Sequence, residues 1–278
     1  MKQKSVSMLL LAMSLVLLSG MSVASAQDVI TYTGDAYESK CNVCLEATVL
    51  DDITEDPNSG LTVRFKIKPK GGNWGGSTVG TATTGPLGVA TLCIGAKAPG
   101  EYRVRAIIVG SGGVRVTTDL NIYAARATGG GQIVQEEGAK RKNWYKISFG
   151  MGAYDLGGDG LKLDSCEVTF HNVSNNDIDK WKFVGDELTG MVFSPDGTGA
   201  ELIISGELED KKEDPQGAAS ITIRLQDLGE PAWLDNIRLI LTGVESYDSS
   251  DSGDFPSDTA NRTWTAAGNF QVEELDCP

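Results

Sequence analysis

Histidine is almost missing from this 278-residue chain, where His171 stands alone. That excludes a zinc centre built on several imidazoles and leaves any Ser or Cys nucleophile a single base to find. In its sequence context His171 reads as a partly exposed strand residue. Helical writing is missing as well. Past the N-terminal segment, no stretch sustains an apolar period of 3.6 residues. The longest apolar run, Met8 to Leu18, falls short of the about 20 residues a spanning helix needs. Positive charge is in deficit: 24 Lys and Arg against 38 Asp and Glu give a net charge of -14. Such a chain repels phosphate backbones and anionic lipid, so nucleic acid and polybasic membrane binding are not expected.

What is present begins with a secretory signal. Lys2 and Lys4 precede the apolar run, and Ala24-Ser25-Ala26 follows it, which predicts a signal peptide over residues 1–26 with cleavage before Gln27. Gly20-Met21-Ser22 lacks a lipoprotein cysteine, and Asp276-Cys277-Pro278 shows no hydrophobic anchor. The expected product is a secreted protein, extracellular or held at the cell surface, without membrane insertion. Cleavage removes two lysines and no acid, leaving 252 residues with 22 basic against 38 acidic side chains, a charge of -16. That length accommodates two ordinary domains.

Short segments rich in Val, Ile, Thr and aromatic residues recur between Gly, Asp, Asn and Pro clusters, a pattern of strands and turns. They include Thr62 to Ile67, Val89 to Ile94, Tyr102 to Val109, Val114 to Tyr123, Cys166 to His171, Leu202 to Leu208 and Ile221 to Leu225. The 34 glycines, against nine prolines, supply most of the punctuation. The predicted fold class is all-β, with two β-sandwich-like domains. In the first, residues 27–124, Val43, Leu45, Ala47 and Val49 form an apolar stripe while Cys44, Glu46 and Thr48 face the other way. Val63, Phe65 and Ile67 repeat the alternation. Ala124 to Ala127 reads as a short junction, and the second domain spans 128–278. Its opening Gly129-Gly130-Gly131 suits positive φ or close backbone approach beside a starting strand.

Two resemblances attach to these residues. Ile30 to Asp35, Leu45 to Asp51, Gly88 to Leu92 and Ala98 to Tyr102 resemble the bacterial Ig-like modules of secreted and surface proteins. The likeness implies an immunoglobulin-like sandwich that serves as a spacer or adhesive stalk. Thr128 to Ile133, Lys146 to Phe149, Leu156 to Gly160, Leu202 to Gly206 and Asp227-Leu228-Gly229-Glu230-Pro231, ending at Gly268 to Val272, resemble the post-COAP domain, an all-β module at the C-terminal end of secreted bacterial and archaeal proteins.

Five cysteines in an exported chain point to disulfides. In an Ig-like sandwich the strands carrying Cys44 and Cys93 are neighbours, so these two are candidates, and a bridge would close a loop of about 50 residues. Cys166 and Cys277 are the second-unit candidates, and Cys41 is left over. Cys41 with Cys93 stays open as an alternative. Cys41-Asn42-Val43-Cys44 has redox spacing but lies in a strand, without the helix dipole that lowers a thiol pKa.

No catalytic residues are assigned. Glu230 and Asp235 share a loop and are the best pair for acid and base glycoside hydrolysis. Asp248, Asp251 and Asp254, at intervals of three on a glycine-containing loop, are the candidate calcium ligands, calcium being the one cofactor considered. Asp51, Asp52, Glu55 and Asp56 form a second acidic cluster. Of five tryptophans, Trp144, Trp181, Trp233 and Trp264 are expected to fill the second unit, whereas Trp74, in the loop Gly71 to Gly76, is the candidate ligand-binding ring. Asn172 and Asn261 satisfy the N-glycosylation pattern. The function expected is structural or adhesive and non-catalytic, with surface proteins or glycans as partners. Its rivals are a carbohydrate-binding accessory module and an extracellular glycoside hydrolase.

Overall fold

The computed structural model describes residues 28–136, 144–172, 180–210, 214–226, 236–243, 247–248 and 265–277. Among them the regular secondary structure is all strand, joined by turns and irregular loops, save for one 3-10 turn at Gly157–Asp159. No helix among the described residues is long and apolar enough to cross a membrane.

The first eight strands are β1 (Asp28–Tyr32), β2 (Tyr37–Ser39), β3 (Cys44–Asp51), β4 (Thr62–Pro69), β5 (Thr78–Thr83), β6 (Val89–Cys93), β7 (Gly100–Ile108) and β8 (Arg115–Tyr123). They form two sheets, β1-β3-β6 and β2-β8-β7-β4-β5. The alternation read from sequence is what seals them together. Val43, Leu45, Ala47 and Val49 on one side, and Val63, Phe65, Val104, Ala106 and Leu120 on the other, are all completely buried in one cluster. The short β2 pairs in parallel with β8 while its neighbours pair antiparallel, so the chain crosses between sheets in the manner of an immunoglobulin-like sandwich.

The other nine strands are β9 (Ala125–Glu136), β10 (Trp144–Asp155), β11 (Leu161–Asn172), β12 (Lys180–Phe193), β13 (Gly199–Glu209), β14 (Pro215–Gln226), β15 (Asn236–Gly243), β16 (Tyr247–Asp248) and β17 (Thr265–Glu274). All pair antiparallel in one continuous sheet, ordered β16-β15-β14-β13-β12-β11-β10-β9-β17. One face of this sheet buries a single cluster that includes Ile147, Val168, Phe183, Leu202, Ile221, Leu239 and Phe270. A flat sheet could not enclose such a face. This one curls until the edge strand β17 comes within 8 Å of β14 between Cα atoms, so the sheet folds over its own core. The curl is helped by β12, whose register slips between Gly185 and Glu187 and again between Leu188 and Gly190. Gly206 faces Gly185 across the ladder, and a Cβ there would lie 2.1 Å from the Val184 carbonyl oxygen, so the close approach admits glycine alone.

The glycine run of β9 has a side-chain explanation. Gly131 pairs with Phe149 of β10, and Gly129 with Phe270 of β17. With no side chains standing between them, the two rings lean across β9 and stack with centroids 5.4 Å apart. β9 itself starts at Ala125, within the segment expected as junction, because Ala125 and Ala127 are buried and paired with both neighbours. Only Ala124 separates β8 from β9.

Candidate functional site

The most heavily built feature is the seam between the two sheet systems. It grows from β2, the end of β8, the hairpin β10–β11 and the tail after β17. Tyr37 and Tyr154 stack with centroids 3.9 Å apart, and Tyr123 tilts against Tyr154 at 5.5 Å. Leu156, with 1% of its surface exposed, and Leu275 complete this small core. Polar contacts frame it. Tyr37 Oη donates to Asp164 Oδ1 at 3.2 Å. Burial, with Asp164 alongside, pushes the Tyr37 phenol upward, so it stays a neutral donor. Lys162 Nζ reaches from β11 to Glu101 Oε1 at 2.7 Å and to Asn121 Oδ1 at 3.0 Å, while Lys70 holds Glu101 Oε2 at 2.9 Å. The Glu101 N–H donates to Asp159 Oδ2 at 2.7 Å, and the preceding Gly100 has a φ of 148°, a backbone conformation that favours glycine where the 3-10 turn docks. Arg126 Nε lies 3.0 Å from Glu273 Oε2 as an ion pair whose angles do not make a hydrogen bond. The disulfide Cys41–Cys277 closes the seam, joining residues 236 apart in sequence.

That bridge corrects the expected use of the cysteines. Cys44–Cys93 forms as expected, between directly paired residues of β3 and β6. Cys166 does not pair with Cys277. It is a free thiol with 4% exposure, on the core face of β11 with Val168 and Phe170, while Cys277 lies past the end of β17 beside Cys41. Cys41 and Cys44 therefore belong to separate bridges, and the redox spacing is not used as a pair. Desolvation pushes the Cys166 thiol up to about 12, leaving it inert at neutral pH. Native protein is expected to show no thiol reactive with a disulfide reagent, and denatured, unreduced protein one per chain. Three thiols per chain after denaturation would mean that one bridge is absent, and five that both are.

The Lys162 and Lys70 hydrogen bonds hold the Glu101 carboxyl below the usual range. A depressed carboxylate stabilises the fold above its unfolded pKa of about 4.3, and that contribution is lost as pH falls through the lower folded value. Glu101→Gln is expected to cost about 1 kcal/mol at pH 7, in keeping with partly exposed pairs. The gap between wild type and variant in thermal midpoint should close as pH drops from 5 to 3. A gap that stays constant over that range would show that the carboxylate is not holding the seam.

The other predicted residues are scattered. His171, on β11, has Lys146 and Lys180 as its cross-strand neighbours. Glu230 and Asp235 lie outside the described residues, as do Asp251, Asp254, Asn261, Trp233 and Trp264, while Asp248 belongs to the edge strand β16 opposite Ile240. Asn172 ends β11. Asp51 is committed to its own turn, its Oδ1 accepting the N–H groups of Ile53 and Thr54, which lowers its carboxyl. Among the described residues, no three His, Cys, Asp or Glu side chains cluster as a metal site. Trp181 packs partly buried against the second core.

A groove of about 410 Å³ opens at the β12–β13 turn, lined by residues including Phe193, Asp196, Glu201 and Arg224. Its carboxylates are occupied. Glu201 pairs with Arg224, and Asp196 Oδ1 accepts from Ser194 Oγ at 2.5 Å and from the Thr198 N–H at 3.1 Å, holding that carboxyl below its ordinary range. A general acid needs the opposite displacement.

Trp74 remains at the surface, partly exposed, beyond the end of β4. The Arg105 guanidinium carbon lies 4.1 Å, and Lys68 Nζ 5.1 Å, from its ring centroid. Sequence spacing pointed to the ring but gave no sign of the cations.

No family model matches this chain, and no curated protein does. Among solved structures, a match is found to fibronectin(III)-like modules of Clostridium thermocellum CbhA, at 13% identity, covering 70% of this chain and 92% of that one, with a TM-score of 0.27. At that score the superposition carries no argument, and the architecture rests on the strands and sheets described above.

Proposed function

We propose that this chain is an exported, non-catalytic structural or adhesive protein of the cell surface or extracellular matrix. In this reading residues 1–26 are removed, residues 27–124 form an Ig-like unit, and residues 128–278 form a second β unit for which the post-COAP likeness suggests a C-terminal position in secreted proteins. The observation that carries the proposal is the seam: an aromatic core, a Lys–Glu–Lys chain and a disulfide between distant residues join two β units with one intervening residue. Two disulfides also suit an oxidising compartment. Such an object transmits position and load, and has little use for the mobile lids of an enzyme.

The test is fractionation of the producing cells with an antibody to the chain, together with N-terminal sequencing of the recovered protein. The expected result is surface or medium fractions and a first residue of Gln27. Recovery from the cytosol with an uncleaved N-terminus would overturn the reading. A second reading, a carbohydrate-binding accessory module, is favoured by Trp74, whose ring is partly exposed at the surface and held beside two cations.

A further inference from the structure

The net negative charge of this chain is not spread over it. Residues 27–124 carry nine Lys and Arg against ten Asp and Glu, whereas residues 125–278 carry 13 against 28. Within the first unit the basic side chains are also segregated, and the segregation follows from strand parity. In β4 the residues Val63, Phe65 and Ile67 point into the core, so Arg64 and Lys66 point out to solvent, while Lys68, on the same face, is covered at 8% exposure with its Nζ donating to the Gly72 carbonyl. In β7 the buried Val104 and Ala106 leave Arg103 and Arg105 outward, and β8 adds Arg115. The ladder sets these in rows: Arg64 and Arg115 flank Ile107, Lys66 pairs with Arg105, and Lys68 pairs with Arg103. With side chains about 7 Å apart along a strand and strands about 5 Å apart, Arg64, Lys66, Arg103, Arg105 and Arg115 make the outer face a grid of five solvent-reached cations, with the covered Lys68 at its edge.

Little on the face neutralises this grid. Asp119 pairs with Arg103 at 2.9 Å, and Glu101 at its lower border is taken by Lys70 and Lys162. Arg64, Lys66, Arg105 and Arg115 have no ion-pair partner among the described residues. Like charges at this spacing repel, so the bare face is destabilised until something anionic covers it. Trp74 lies on the same face, held at Arg105 and Lys68, in a loop where nothing comes within 4 Å of the Cβ positions of Gly71, Gly75 or Gly76. An aromatic ring beside a cation grid, reached through open space, suits a polymer offering both apolar C–H faces and regularly spaced carboxylates.

From this we infer that the outer face of β4, β7 and β8, with Trp74, docks a carboxylated polysaccharide. The inference rests on the adhesive reading above and names the partner that reading lacks. A nucleic acid fits less well. Its two charges per base pair extend past this face, where the 28 acids of the second unit repel it, whereas a sugar chain with at most one carboxylate per residue is matched by the local grid alone.

The test uses polygalacturonate as probe and the full mature chain, with binding followed by calorimetry at 50 and 300 mM NaCl. Expected are binding at low salt, at least tenfold weakening at high salt, and no binding of neutral dextran. The surface variant Arg64→Ser/Lys66→Ser/Arg115→Ser should bind at least tenfold more weakly with a melting midpoint no lower than that of the wild type, and Trp74→Ala should weaken binding at both salt concentrations. Absence of binding at 50 mM NaCl, full binding by the triple variant, or equal affinity for duplex DNA would overturn the inference. So would salt-sensitive self-association of the free protein that the triple variant abolishes, since the face would then belong to a second copy. Any of these leaves the surface-protein reading standing, because that reading is decided by where the chain is found and not by this binding.

Discussion

Replacing Cys41 and Cys277 together by serine is expected to lower the thermal midpoint by about 5–15 °C and to split one unfolding transition into two. The bridge joins residues 236 apart, so it restrains nearly the whole unfolded mature chain. The chain-entropy model assigns about 5 kcal/mol to a loop of that size, and removal of native disulfides typically costs about 2–5 kcal/mol. For a chain of this length each kcal/mol corresponds to about 2–4 °C. The splitting has a separate cause. Each unit has its own core, and the bridge is the covalent part of the seam that makes them unfold together. Cys44–Cys93, whose ends are 49 apart in sequence, lies wholly inside the first sandwich, so Cys44→Ser/Cys93→Ser should lower the first unit's stability without separating the units. Differential scanning calorimetry under non-reducing conditions distinguishes these outcomes. A Cys41→Ser/Cys277→Ser protein with one transition at the wild-type midpoint would show that the bridge restrains nothing the seam does not already hold.

Parity made the first unit readable from sequence. Val43, Leu45, Ala47 and Val49 are strictly alternating and all buried, as expected of strands with one face on a core. The same parity places Cys166 with Val168 and Phe170, and so already disqualified it as the partner of a terminal cysteine. Cys41 carried no such signal, because its proximity to Cys277 is created by docking two units whose strands are not contiguous in sequence. In the second unit the strands were recognisable but read too short: Cys166 to His171 lies in the second half of the 12-residue β11, and a bulge opposite Gly152 and Ala153 changes the parity between Leu163 and Cys166, so no single alternation runs along the strand. That nine such strands curl as one sheet depends on register slips at glycines, which composition alone does not place. The basic face was hidden by summation. A net charge of -14 describes the far field, whereas a ligand within a Debye length of about 8 Å meets the local grid of β4, β7 and β8.

Tyr154→Ala is expected to destabilise the intact protein by about 3–5 kcal/mol, the range for removing a large buried aromatic side chain. Tyr154 is only 9% exposed and is the ring on which both Tyr37 and Tyr123 rest, so its removal empties the centre of the seam. Tyr154→Phe keeps the stack and should cost under about 1.5 kcal/mol, which separates loss of packing from loss of the hydroxyl. The informative comparison is with the serine pair at positions 41 and 277. With the bridge intact, the two units cannot separate even when Tyr154 is gone, and the tail after β17 stays tethered to Cys41. Without the bridge, loss of Tyr154 removes the main apolar contact left across the seam, so the units should move independently and the radius of gyration measured by small-angle X-ray scattering should rise under native conditions. The two changes are therefore expected to couple by about 0.5–3 kcal/mol in a double-mutant cycle, as groups sharing one interface do. Strict additivity, with an unaltered scattering profile in the combined variant, would mean that the Lys162–Glu101 contacts and the pairing of β2 with β8 fix the relative placement of the units by themselves.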